Sequence, residues 1–350
     1  MTIAHINRIA TAHPDNEVHG IFIEWAASRI PDPRVAKLFA RMAERSGIER
    51  RWSVLARPGE TSQTGEGGFY GGEDMPGTKA RMAVYAEEAP RLALAAIAGL
   101  GDVGRITHLV VASCTGFVAP GIDQIIAREL GLEGGVERTL VGFMGCYAAI
   151  AALRTAHHIV RSTPQARVLV VEVELSTLHL QGSSDIGQLL AMLQFGDGAA
   201  AAIVSAEAEG LAIDRMFAAT LPDSHELIQW TIGDEGFVME LAGAVPNRIA
   251  DALGDDATRT TIVGERPVDA WAVHAGGRSV LDAVERALDL PEEAVADSRA
   301  VLAGHGNMSS ATIMFVLQRM LERGAPIEHG VAVAFGPGLA AEGFGFRRAA

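Results

Sequence analysis

Strand-like runs alternate with helix-like segments along nearly the whole chain, and this alternation limits the fold more than any other feature. Segments 108–113 (HLVVAS), 138–143, 167–174 (RVLVVEVE), 198–205 (GAAAAIVS), 270–274 and 330–335 read as strands. Between them, 31–51, 78–100, 122–130, 146–161, 279–288 and 308–323 read as helices. In the first of these, Val35, Leu38, Phe39 and Met42 recur at three- and four-residue spacing, with Lys37, Arg41 and Arg45 on another face. Strands separated by helices predict a largely parallel sheet covered on both faces, an α/β fold. The length of 350 residues exceeds one average domain, so two domains, or one large duplicated α/β unit, are expected. Its boundary falls near Glu207, giving halves 1–206 and 207–350, although no repeat is readable residue by residue.

Charge and cysteine usage narrow the function. With 29 basic and 43 acidic side chains the net charge is −14, which argues against a nucleic-acid partner but permits a local basic patch for an anionic small molecule. The 2 cysteines, Cys114 and Cys146, cannot build a disulfide framework or a cysteine-rich metal site, so no metal is expected. The opening MTIAHINRIATAHPDN has no apolar core of a secretory signal, and no window reaches the roughly 18 apolar residues of a membrane span. A cytoplasmic protein without a membrane span is the expectation.

Three residues stand where chemistry is done in such folds. Cys146 follows a strand and a glycine and opens a helix, where unpaired amides favour a thiolate; the same place suits a small buried core residue. His274 ends a strand beside Gly276 and Gly277, where parallel sheets put their sites; a core histidine bonded to a carbonyl is the alternative. Asn307 precedes a helix and fits either a helix cap or an amide donor to a developing oxyanion. His305 reads as loop, and His157 with His158 as helix surface. Gly196-Asp197-Gly198 loosely matches a dinucleotide fingerprint, but a strand rather than a helix follows it.

Taken in order, the stretches SCTGFVAPG from Ser113, GFMGCYA from Gly142, FGDGAAA from Phe195, WAVHAGG from Trp271, GNMSSA from Gly306 and FGPGL from Phe335 resemble the chalcone synthase-like family, the type III polyketide synthases. The resemblance implies a thiolase-like fold, two αβαβα halves forming a five-layered αβαβα core, and a homodimer. It implies a Cys146–His274–Asn307 triad, Phe195 at the junction of CoA tunnel and cavity, and Met239 where plant relatives carry a second gatekeeper phenylalanine. Cys114, Thr115, Ser176, His179 and Trp230 fall at cavity positions. Arg41 and Arg45 match the CoA-contacting basic segment, with Leu38 in place of one lysine. The implied reaction loads an acyl-CoA starter on Cys146, extends it with malonyl-CoA and cyclises the polyketide, with no metal, nicotinamide or flavin cofactor. The wording of the motifs favours bacterial relatives making pyrones, resorcinols or phenols, and a fatty acyl starter. A ketoacyl synthase making one condensation and a non-catalytic acyl-CoA-binding protein are the competing readings. A hydroxymethylglutaryl-CoA synthase would want a catalytic glutamate, and a papain-like hydrolase a cysteine in another context.

Overall fold

In the computed structural model, which describes residues 2–55, 62–72 and 74–349, nine strands join in one mixed sheet. They are β1 (His5–Ala12), β2 (His108–Ser113), β3 (Glu137–Gly142), β4 (Val168–Leu175), β5 (Asp197–Ser205), β6 (Leu211–Thr220), β7 (Ala270–Val273), β8 (Gly330–Gly336) and β9 (Ala340–Arg348). Their order across the sheet is β7-β8-β9-β6-β1-β5-β4-β2-β3. The join at β1 and β6 is short, His5 opposite Ala212 and Ile6 opposite Leu211, so two sheets meet there edge to edge.

The two sheets repeat one topology. In the first, β2 and β4 are parallel, β4 and β5 antiparallel, and β5 and β1 antiparallel. In the second, β7 and β8, β8 and β9, and β9 and β6 repeat those relations in the same order. Among the described residues, β3 alone has no counterpart. The duplication therefore lies in strand pairing, which a linear pattern of apolar residues does not display.

Alternation along the strands builds the layers. The principal helices are α1 (Pro33–Glu44), α2 (Thr78–Gly99), α3 (Ala148–Ser162), α4 (Val245–Gly254), α5 (Arg278–Leu288) and α6 (Ala311–Arg323). Leu109, Val111, Leu169 and Val171 face α2 on the outside, while Val110, Ala112, Val168 and Val170 face inward. Ala272, Ala332 and Phe344 of the second sheet join that same inner cluster, and Trp271, Val273 and Val331 pack outward with residues of α4 and α5. The shared inner layer is α3 and α6, so the section reads helix, sheet, helix, sheet, helix: the thiolase-like five layers.

Several sequence expectations shift. The first helix spans Pro33–Glu44 rather than 31–51, because Asp32 caps it by accepting the Arg34 N–H and Gly47, at φ 76, ends it. His157 is buried rather than on the helix surface, and burial lowers its pKa to about 4. His305 is the last residue of a helix, Ala296–His305, not loop. β9 escaped notice because Gly343 and Gly345 interrupt it; a Cβ on Gly343 would lie 2.2 Å from the Ala332 carbonyl oxygen, so the close strand approach requires glycine.

Candidate active site

The chain leaves β3 through a tight reversal. Phe143 and Gly145, at φ 56 and 77, take left-handed backbone and lead into a short 3-10 turn, Gly145–Tyr147, that opens α3. A Cβ on Gly145 would lie 2.3 Å from Pro337 Cδ, so the turn requires glycine. Cys146 is thereby set at the start of α3. The second half does the equivalent with Asn307, which lies just before α6. The Asn307 Oδ1 accepts the Ser309 N–H at 2.8 Å, and its Nδ2 donates to the Gly276 carbonyl at 3.2 Å. Its backbone exchanges hydrogen bonds with the Phe195 segment: Asn307 N–H to Gln194 O at 2.8 Å, and Gly196 N–H to Asn307 O at 3.0 Å.

Ser309 and Asn307 lie close enough to Cys146 to act on its thiol. Burial pushes the Cys146 thiol up to about 11, against the pull of hydrogen bonds involving Ser309 and Asn307. The helix-end argument for a thiolate is thus outweighed by desolvation. His274 follows β7, donates its backbone N–H to Val333 O at 2.8 Å, and belongs to the loop that Asn307 holds through Gly276. Neither of its ring nitrogens has a hydrogen-bond partner among the described residues, and burial lowers its pKa to about 3. Burial alone therefore favours the neutral form of each group. A charge on one is stabilised only by an opposite charge formed beside it.

A cavity opens over the thiol. Cys114, Thr115, Ser176, His179, Phe195, Trp230 and Met239 all line it with Cys146, and so do Phe22, Arg51, Gln63, Phe237 and Ser309, which the sequence reading did not single out. His274 and Asn307 are buried without lining it. Arg41 and Arg45 are exposed on α1 and at its end, outside the cavity.

One wall is aromatic. His179 stacks on Phe237 with ring centres 4.2 Å apart, and Trp230 meets both edge-on at 5.4 and 5.7 Å. His179 Nε2 contacts the Thr115 carbonyl at 2.7 Å and Nδ1 accepts the Phe237 N–H at 3.0 Å, which places the ring proton on Nε2. The Trp230 indole donates to Cys114 O at 2.9 Å. Phe237 reaches the wall from a hairpin, Ile228–Gly233 with Gly236–Leu241, whose tip is fastened to Thr78 at the start of α2.

Behind the wall lies Glu174, fully buried on β4. It accepts hydrogen bonds from the Cys114 N–H at 3.0 Å, the Thr115 hydroxyl at 2.9 Å and the Ser310 hydroxyl. Burial raises its pKa to about 7, and these donors hold it from rising further. RVLVVEVE puts two carboxyls inside a buried strand: Glu174 finds donors, whereas Glu172 has no hydrogen-bond partner among the described residues and burial raises its pKa well above the ordinary carboxylate range.

Comparison with known proteins decides the family. The profile of the chalcone and stilbene synthase N-terminal domain matches residues 6–208, and that of the C-terminal domain matches 213–349. The chain belongs to the chalcone and stilbene synthase family. Among its relatives, the alpha-pyrone synthesis polyketide synthase-like Pks18 of Mycobacterium tuberculosis is 35% identical over 284 residues, covering 76% of this chain and 72% of Pks18. The bisdemethoxycurcumin synthase of Oryza sativa is 32% identical over 337 residues, covering 86% and 80%. The crystal structure of PKS-I from the brown alga Ectocarpus siliculosus superposes with a TM-score of 0.90 over 99% of both chains at 30% identity. This chain is a type III polyketide synthase, an acyltransferase that condenses malonyl-CoA with loss of carbon dioxide.

Proposed function

We propose that Cys146 is the nucleophile, His274 its proton partner and Asn307 the oxyanion donor of this synthase. The placing of Asn307 where it acts on the Cys146 thiol, while it also holds through Gly276 the loop that carries His274 with both ring nitrogens unengaged, carries the reading. Cys146 passes its proton to His274 and attacks the acyl-CoA carbonyl; the new thioester forms as the CoA sulfur leaves and takes that proton. Malonyl-CoA then loses carbon dioxide, and the enolate oxygen is met by N–H donors of His274 and Asn307. The enolate attacks the cysteine-bound acyl group, and repetition followed by ring closure gives a pyrone, resorcinol or other phenolic product. Acyl-CoA and malonyl-CoA are substrates, and these steps call for no metal, nicotinamide or flavin. Two free cysteines inside the chain fit a reducing, cytoplasmic setting. Among the described residues no helix is long and apolar enough to cross a membrane.

Mass spectrometry of products from purified protein, malonyl-CoA and a panel of acyl-CoA starters tests the assignment. Products extended by several acetate units support it, and a single β-keto product overturns it in favour of a ketoacyl synthase. The aromatic wall sets the room for the growing chain. Trp230→Gly removes its centre, so products longer by at least one acetate unit should replace the native product as the major species; an unchanged profile would place the wall outside the elongation space.

A homodimer completes the proposal. β3 pairs with β2 on one edge and leaves its other edge unpaired among the described residues. Leu140 on it and Phe117 beside it are each 47% exposed, an open strand edge with apolar side chains that a second copy would cover. Leu140→Arg should halve the mass seen by light scattering; a wild-type monomer would rule the dimer out.

A further inference from the structure

The outward face of α1 mixes charge with apolar surface. Phe39 and Ala43 anchor the helix, both buried. At about 100° per residue, Lys37, Arg41, Arg34, Arg45, Leu38 and Met42 follow one another around the opposite side, a stripe about 140° wide. Leu38 and Met42 are 45% and 43% exposed. The four cations have no side-chain hydrogen-bond or ion-pair partner among the described residues, in a chain of net charge −14. The helix lies at the cavity's side, packed against Ile186–Met192, whose Gln188 and Met192 line the cavity over Cys146.

The phosphates of CoA account for the arginines but not for the apolar pair. Leu38 and Met42 gain nothing from a phosphate, and Leu38 replaces a cation that would. A water-exposed apolar pair bordered by cations complements an acidic amphipathic helix, whose carboxylates meet the arginines and whose aliphatic side chains cover Leu38 and Met42. The reaction consumes an acyl thioester, so the matching partner is one that brings such a thioester. We infer that this face docks a small, acidic, helical acyl carrier protein, which delivers the starter as a thioester on its pantetheine arm.

This inference rests on Cys146 being the acyl acceptor. Transfer then forms the Cys146 sulfur–acyl bond and breaks the pantetheine sulfur–acyl bond, and the departing sulfur takes the proton released by Cys146. A lipid surface fits less well, because an interfacial helix presents a broad apolar face and α1 offers two residues flanked by charge.

The test compares loading of the full chain from octanoyl-CoA and from an acidic type II acyl carrier protein bearing octanoyl-phosphopantetheine, read as the mass of the Cys146 peptide. Loading from the carrier is expected to be half-maximal at a concentration about tenfold lower than from CoA, and to weaken as salt rises. Met42→Glu should raise the KM for the carrier-borne starter about tenfold with kcat unchanged, while leaving loading from octanoyl-CoA untouched. Loading from CoA with no advantage for the carrier overturns the inference and leaves the synthase reading intact. A Met42→Glu variant that loads from both donors like the wild type, or loses both equally, also overturns it. Binding to anionic vesicles with no response to the carrier would assign the face to a membrane instead. No adduct from either donor overturns the Cys146 reading itself.

Discussion

Replacing Cys146 with alanine is expected to abolish the acyl-enzyme and to lower condensation by at least about 10³-fold. The result is sharper than it would be at a site with a single thiol. The family resemblance puts Cys114 at a cavity position, and it does line the same cavity as Cys146. The two differ in environment rather than in reach. Cys114 is 1% exposed, its sulfur accepts the Gly145 N–H at 2.9 Å, and it lies beside the Glu174 carboxyl. Burial and that carboxyl push its pKa well above the ordinary thiol value, so its thiolate is scarce at neutral pH. Cys146 is raised too, to about 11, by burial and by the same Glu174 carboxyl, but Ser309 and Asn307 act against that rise and it opens α3. Incubation with an acyl-CoA and peptide mapping should therefore find the adduct on Cys146 in the wild type and in Cys114→Ala, and on neither cysteine in Cys146→Ala. An adduct on Cys114 in the last variant would show that the cavity, rather than the residue, selects the nucleophile.

The positions legible in the sequence are those whose neighbours along the chain define them. Cys146 and His274 each follow a strand and adjoin glycines, and the bend each needs is written within a few residues. Asn307 was ambiguous between cap and donor, and the structure shows why: Oδ1 accepts the Ser309 N–H in the turn before α6 while Nδ2 donates to the Gly276 carbonyl. What stayed hidden depends on distant pairing. Phe237 joins the cavity because Thr78, on another element, fastens the hairpin tip. Arg51 reaches the cavity because its guanidinium bonds the Met192 and Phe195 carbonyls, far along the chain. A duplicated unit was expected from length and strand–helix alternation, but its repeat was not readable residue by residue, since strand order is a relation between segments. Glu174 was readable in principle: a carboxylate in a strand that must be buried is a statement about its surroundings, and Thr115 and Ser310 supply the answer.

Asn307→Asp should separate the two duties of that side chain. Aspartate keeps an oxygen to accept the Ser309 N–H, so the turn before α6 survives and the variant stays folded, although a buried carboxylate oxygen set against the Gly276 carbonyl lowers its melting temperature. It loses the N–H that bonds Gly276 O and the donor that would meet the enolate, and adds negative charge where more negative charge must develop. Decarboxylation of malonyl-CoA, measured as carbon dioxide release without a starter, should fall by about 10²- to 10³-fold or more. Asn307→Ala loses the turn's hydrogen bond as well as the donor, so its activity should fall similarly while it gives up about 1 kcal/mol of stability. Comparing the two variants isolates the chemistry. If aspartate retains decarboxylation and alanine loses it, the side chain serves the turn alone, and the enolate must be stabilised by His274 and the amides at the start of α3. If both fail while both remain folded, the N–H of Asn307 acts on the reacting oxygen, and its place before α6 explains how one residue can hold the turn and serve the reaction together.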